Sequence, residues 1–195
     1  MRRLHFLRHG PTHAKTMVGW TDLPADLSDT ALLRRVDDAI PKDAICVSSD
    51  LKRCSMTLDA IQNGRRRMPD DPQLREFNFG DWDNKAYAQI AAENPKAIEA
   101  FWDNPGSIQA PNGESWDQLT ARLTAGIDRL LRETSASESD ILISTHFGAI
   151  LTQLARATDM SAKSVFSFKI DNLSITTLLY HGPKGWGVQR VNHIP

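Results

Sequence analysis

The chain has 195 residues, 23 Lys+Arg against 24 Asp+Glu, a formal net charge of −1, 41% hydrophobic and 24% charged residues. This balance excludes a disordered chain and gives no bulk basic excess for nucleic acid. The length suits a single domain over residues 1–195 that buries roughly 70% of its unfolded-chain surface.

Leu4 to Leu7 forms a short apolar run stopped by Arg8-His9-Gly10-Pro11, the pattern of a buried strand ending in a turn. Leu32, Leu33, Val36 and Ile40 recur at helical spacing between Ser28 and Pro41. Ala44 to Val47 predicts a second buried strand. Ser49 or Asp50 then opens a helix carrying Leu51, Cys54, Leu58 and Ile61 on one face, closed by Asn63-Gly64. Arg65-Arg66-Arg67 reads as a solvated strand edge.

Residues 65–113 are irregular and rich in proline and aromatics, as expected of a lid-like surface insertion that shapes a pocket, with short helices over Lys85–Glu93 and Lys96–Asp103. Ser115-Trp116-Asp117-Gln118 is a capping-box pattern. It opens a helix with Leu119, Leu123, Ile127 and Leu130 on one side. A polar loop over Ser135–Asp140 leads to a third buried strand, Ile141–Ile143, which ends in Ser144-Thr145-His146 and a helix over Phe147–Thr158. Ile175–Tyr180 and Trp186–Val191 close the chain as paired strands. This order predicts an α/β three-layer sandwich, a mostly parallel central sheet with helices on both faces.

Two buried strands thus each end in a histidine, His9 and His146, and the carboxyl ends of strands are where open α/β sheets bind ligands. Arg8 adjoins His9, and Arg53 lies in the first turn after the second strand. Two guanidinium forks and two imidazoles suit a tetrahedral oxyanion such as phosphate. His5, His9 and His13 repeat every four residues, but Gly10-Pro11 breaks the helix that a metal site there would need. Cys46 and Cys54 form no disulfide framework, the apolar stretch after Met1-Arg2-Arg3 is cut short by His5 and Arg8, and no run is long enough to span a bilayer. The expectation is a cytoplasmic protein without membrane or nucleic-acid partners.

Arg8-His9-Gly10 after an N-terminal strand resembles the hallmark of the histidine phosphatase (phosphoglycerate mutase-like) superfamily. Ser48-Ser49-Asp50-Leu51-Lys52-Arg53-Cys54, Leu74-Arg75-Glu76-Phe77-Asn78-Phe79-Gly80-Asp81-Trp82, Gly113-Glu114-Ser115 and Ser144-Thr145-His146-Phe147-Gly148 resemble its further motifs, in order. The resemblance implies that His9 is a nucleophile forming a phosphohistidine. Arg8, Arg53 and His146 would neutralise phosphoryl oxygens, and Glu76 would be the acid/base, with Asp81 as fallback. Neither metal nor other cofactor is implied, since the arginines supply the charge.

Thr12 keeps the family's usual hydroxyl and Lys15 stands where an asparagine often holds phosphate. Asp83-Asn84 replaces a common Glu-Gly, and Phe147 replaces a usual glycine, which would narrow the pocket. Gly19-Trp20-Thr21-Asp22-Leu23-Pro24 is similar to α-ribazole phosphatase-like members, with Gly19 among the substrate-side residues. The implied partner is a small phosphorylated metabolite. Mutase-type phosphoryl transfer is the alternative, although no adjacent arginines lie between Ala86 and Pro111 to take a substrate carboxylate. A non-catalytic phosphate-sensing module is the second alternative. Monomer and homodimer both stay open.

Overall fold

The computed structural model describes residues 1–135, 137 and 139–195. Five strands, β1 (Arg2–Arg8), β2 (Ile45–Ser48), β3 (Asp140–Thr145), β4 (Ile175–Tyr180) and β5 (Trp186–His193), form a sheet in the order β2-β3-β1-β4-β5. β1 lies at the centre, which is why its residues are almost uniformly shielded rather than alternating. Its side chains still sort by the two-residue period. Leu4 and Phe6 join one apolar cluster and Leu7 the other. The registers Leu4↔Ile141, Phe6↔Ile143, Ile45↔Ile141 and Val47↔Ile143 put these residues in rows on the same face as Leu4.

The sheet is mixed rather than mostly parallel. β1–β3 and β2–β3 pair parallel, whereas β1–β4 and β4–β5 pair antiparallel. The tight turn at Gly182–Lys184 makes β4 and β5 a hairpin, and a short turn cannot join parallel neighbours.

Helices α1 (Thr30–Ala39) and α2 (Lys52–Ile61) cover one face through Leu33, Val36, Ile40, Leu58 and Ile61. On the other face lie α5 (Trp116–Glu133) and α6 (Phe147–Thr158), with Leu119, Leu123, Ile127, Ile150 and Leu154. The capping box of α5 is formed, with Gln118 N–H on Ser115 Oγ at 3.2 Å and Ser115 N–H on Gln118 Oε1 at 2.9 Å. A short α7 (Ala162–Val165) follows α6.

The insertion between Arg65 and Gly113 carries α3 (Tyr87–Glu93) and α4 (Pro95–Asp103) and belongs to the core rather than lying over it. Phe77, Phe79, Trp82, Ile90, Ile98 and Phe101 continue the α5/α6-side cluster. Phe77 stacks on Phe79 at 5.4 Å between ring centroids, and Trp82 meets Phe101 edge-on at 5.5 Å. Each such burial contributes about 1.5–3 kcal/mol, so the segment is anchored by its aromatics. Trp82 is therefore a core residue.

Arg65 is not solvated. Its side chain is fully buried and bonds Asp37 together with the carbonyls of Asp37, Ile40, Pro41 and Ile61. Of the polar loop read over 135–140, residues 136 and 138 lie outside the described residues, and Asp140 belongs to β3, where it accepts from Arg3 and His5. Among the described residues no helix is long and apolar enough to cross a membrane.

Candidate active site

The parallel half of the sheet delivers three strand ends to one edge: Arg8-His9 from β1, Ser48-Ser49 from β2 and Thr145-His146 from β3. The ladder continues just past the strands, with His9 N–H on Thr145 O (3.1 Å) and Ser49 N–H on Ser144 O (2.9 Å), so the ends are locked in register. Gly10 N–H donates to Thr57 Oγ1 and Asn172 Nδ2 donates to His9 O, both within 2.9 Å.

His9 is buried, and its Nδ1–H donates to the Gly10 carbonyl at 2.7 Å. That bond fixes the tautomer and leaves the Nε2 lone pair for chemistry. Burial and the nearby Arg53 and Arg8 push the imidazole down to about 3, against the Gly10 carbonyl, so the ring is neutral at physiological pH.

Arg53 is buried in the first turn of α2. Its Nη1 and Nη2 donate to the carbonyls of Thr21 (2.9 Å) and Gly19 (2.6 Å). Its Nε–H points between His9 Nε2 (3.2 Å) and His146 Nδ1 (3.1 Å). His146 Nε2 lies 2.9 Å from Ser49 Oγ and 3.3 Å from Cys54 Sγ. Since Nδ1 accepts from Arg53, the Nε2–H donates to Ser49. Burial first, then Arg53 and His9, keeps this ring far below the ordinary histidine range, so it is neutral too. Ser49 does not open α2. Its hydroxyl is committed to His146, and the N–H of Lys52 is taken by Asp22 Oδ1 at 2.7 Å, a cap supplied across the fold.

Arg8 is anchored through Nη1 to Ile170 O at 2.6 Å, and its guanidinium lies 5.5 Å from the Phe147 ring centroid. Its buried Nε has no hydrogen-bond partner among the described residues, a donor open to a ligand. Glu76, also buried, accepts from the backbone N–H groups of Phe77 (3.0 Å) and Gly148 (3.1 Å). Arg8, His9, Arg53 and Glu76, with Thr12, Ala14, Thr16 and Val18, line a cavity of about 140 Å³.

The structure thus brings together Arg8, His9, Arg53, His146, Glu76 and Thr12. Lys15 is exposed on the loop that forms the cavity wall, and Phe147 packs against Arg8. Gly19 serves through its backbone. Its carbonyl holds Arg53, and a Cβ there would sit 2.2 Å from Phe77 O. Asp81 is exposed and accepts from Asn112, away from the cavity residues. Sequence reasoning did not assign Ser49 to His146, nor Arg122, whose guanidinium donates to the carbonyls of Gln73, Arg75 and Glu76 and so braces the Glu76 segment. The Glu114 of the Gly113-Glu114-Ser115 motif was the available signal, because it is the carboxylate that pairs with Arg122 at 2.7 Å.

A neutral imidazole, two guanidinium groups and a buried carboxyl group thus meet at the carboxyl edge of an α/β sheet. Residues 4–194 match the model of the histidine phosphatase superfamily (branch 1), and the chain belongs to that superfamily. Phosphoglycerate mutase-like protein 4 of Arabidopsis thaliana is 30% identical over 193 residues, covering 94% of this chain and 81% of that one. The adenosylcobalamin/α-ribazole phosphatase of Salmonella typhimurium is 26% identical over 177 residues, covering 87% of this chain and 86% of that one. Among solved structures, the native mycobacterial glucosyl-3-phosphoglycerate phosphatase superposes with a TM-score of 0.82 at 26% identity, covering 98% of this chain and 99% of that one. The α-ribazole phosphatase of Shigella flexneri, at 23% identity, shares the fold with a TM-score of 0.83 over 98% of this chain and 96% of that one.

Proposed function

We propose that the protein is a phosphomonoesterase that hydrolyses a small phosphorylated metabolite through a phosphohistidine on His9. The observation that carries this reading is the His9 imidazole, neutral, with Nδ1–H spent on Gly10 and Nε2 beside the Arg53 Nε–H in a cavity also lined by Arg8 and Glu76. As a phosphoryl group enters, Arg53 Nε–H turns from the imidazole to a phosphoryl oxygen, and Arg8 Nε donates to another. Nε2 attacks phosphorus in line, the ester P–O bond breaks, and Glu76, which enters the cycle as the carboxylic acid, gives its proton to the departing alkoxide and is left as the carboxylate. The positive charge left on the ring is shared through Nδ1–H with the Gly10 carbonyl. Glu76 then takes a proton from water, the hydroxide attacks phosphorus, and the P–N bond breaks to return neutral His9 and inorganic phosphate.

The relatives named as phosphatases of α-ribazole and glucosyl-3-phosphoglycerate support hydrolysis of small phosphate esters. With the Gly19–Pro24 segment, they make α-ribazole phosphate the first metabolite to assay. The test is a panel of phosphorylated metabolites with measurement of phosphate release and of an acid-labile phosphoenzyme after rapid quenching. Wild type should give both and His9→Ala neither. Release that persists in His9→Ala overturns the reading. No phosphate release from any ester leaves a phosphate-sensing module, and conversion of 3-phosphoglycerate primed with its bisphosphate makes the protein a mutase.

A further inference from the structure

Arg53 is aimed by backbone carbonyls, so whatever fixes their loop fixes the guanidinium. The loop is residues 19–21, and all three of its N–H groups converge on the single carboxylate of Asp83. Oδ1 accepts from Gly19 at 2.8 Å, and Oδ2 accepts from Trp20 at 2.7 Å and Thr21 at 2.9 Å. The Gly19 and Thr21 carbonyls of this same loop accept from Arg53. The Gly19 carbonyl shares its peptide unit with the Trp20 N–H, so the carboxylate that takes that N–H also strengthens Gly19 O as an acceptor. Adjacent backbone joins in: Met17 N–H donates to Lys85 O at 2.9 Å and Asn84 N–H to Met17 O at 2.7 Å, tying the Asp83 segment to the loop that walls the cavity. From the other side, Trp20 Nε1–H donates to Glu76 O at 2.9 Å, and its ring packs 4.8 Å from the Arg75 guanidinium. Asp83 itself does not line the cavity.

We infer that Asp83 is a positioning residue for phosphoryl binding, acting through loop 19–21 to hold both Nη groups of Arg53 and so to aim its Nε–H at the phosphoryl site. This rests on the phosphohistidine reading above and adds to it a carboxylate that touches neither substrate nor reacting atoms. Asp83→Asn keeps the size of the side chain but replaces one acceptor oxygen with an NH₂ that opposes a backbone N–H. The loop then loosens, and Arg53 divides its donors among several orientations.

The experiment titrates wild type and Asp83→Asn with inorganic phosphate, follows the Arg53 Nε–H resonance by NMR, and measures kcat/KM on p-nitrophenyl phosphate. In the variant, phosphate binding should weaken roughly tenfold or more and kcat/KM fall at least as far, while the Arg53 Nε–H signal moves and exchanges faster. In a cycle with Arg53→Met, the double variant should bind phosphate no more weakly than Arg53→Met alone, because Asp83 acts only through Arg53. Phosphate binding within about twofold of wild type, or additive losses in the cycle, overturns the inference. Should Asp83→Asn not fold, Asp83→Glu and Asp83→Gln make the comparison at equal length. Glu must bind phosphate at least about tenfold more tightly than Gln, and equal binding refutes the role. A wild type with neither phosphate release nor phosphoenzyme defeats the hydrolase reading. A fully active wild type with an unaffected Asp83→Asn defeats only the positioning role.

Discussion

The carboxylate of Glu76 sits against the backbone of Gly148, accepting its N–H at 3.1 Å in the first turn of α6. The approach is possible because Gly148 has no side chain. A Cβ at that position would lie 2.5 Å from Glu76 Oε1 and 2.9 Å from the Phe77 ring. The positive end of α6 therefore orients the Glu76 carboxyl, and the sequence His146-Phe147-Gly148 couples the histidine bonded to Arg53 to the glycine that seats Glu76.

Gly148→Ala should consequently cost both activity and stability. Displacing a general acid/base by about 1 Å lowers kcat by roughly tenfold to hundredfold. The thermal midpoint should fall by several degrees as well, since the methyl meets the buried Phe77 ring in addition to the Glu76 carboxyl. Steady-state kinetics beside a thermal melt check this, and unchanged kcat would show that the 3.1 Å contact does not position Glu76 for catalysis.

Glu76→Gln separates the two halves of the carboxyl's work. An alkyl phosphate ester needs its departing oxygen protonated, so its hydrolysis should slow by roughly 100-fold to 10,000-fold. Phosphohistidine formation from p-nitrophenyl phosphate, whose phenolate leaves unaided, should be much less impaired, so the phosphoenzyme accumulates because its hydrolysis has lost the base. Rapid-quench measurement of phosphoenzyme level for the two esters reads the difference directly. Equal slowing of formation from both would assign Glu76 to binding alone.

Much of this site was legible because its parts are local. Leu4–Leu7 and Ile141–Ile143 announce buried strands, and the residues that follow such strands, Arg8-His9 and His146, fall on the open edge of the sheet by necessity. What was not legible depends on partners distant in the chain. Nothing near Arg53 signals that two of its nitrogens are held by Gly19 and Thr21, more than 30 residues away. Ser49 has the composition of a helix cap, yet its hydroxyl serves His146. The direction of β4 was equally hidden, because a two-residue period reports which face a side chain takes and not which way the strand runs.

The buried histidines carry a pH signature. An unfolded imidazole titrates near 6.5, whereas burial and Arg53 lower His9 to about 3. Between those values the unfolded chain holds a proton that the folded chain does not, so stability falls as pH drops from 6.5 toward 3, and His146 acts in the same sense. Thermal midpoints should decline from pH 7 to pH 4, and the decline should be shallower in His9→Asn, which removes one of these protonations, His5 and His146 keeping theirs. Parallel curves for the two proteins would mean that His9 is not held neutral by the fold.

Arg65 offers the opposite case, a charged residue whose removal should harm the fold and spare the chemistry. Its side chain is completely buried between α1 and α2, paired with Asp37 at 2.5 Å and capping carbonyls at the ends of both helices. Arg65→Met fills similar volume but takes the donor from Asp37 Oδ1 and from those carbonyls, while Lys42 and Asn63 still donate to Asp37 Oδ2, a loss of about 1–3 kcal/mol for buried acceptors left unpaired. Urea denaturation should show that loss in the midpoint. Arg65 does not line the site cavity, so kcat/KM per folded molecule should stay within about twofold of wild type. A stable variant would show that water replaces the guanidinium, and a stable variant with lowered kcat would tie the α1/α2 packing to the placement of Arg53.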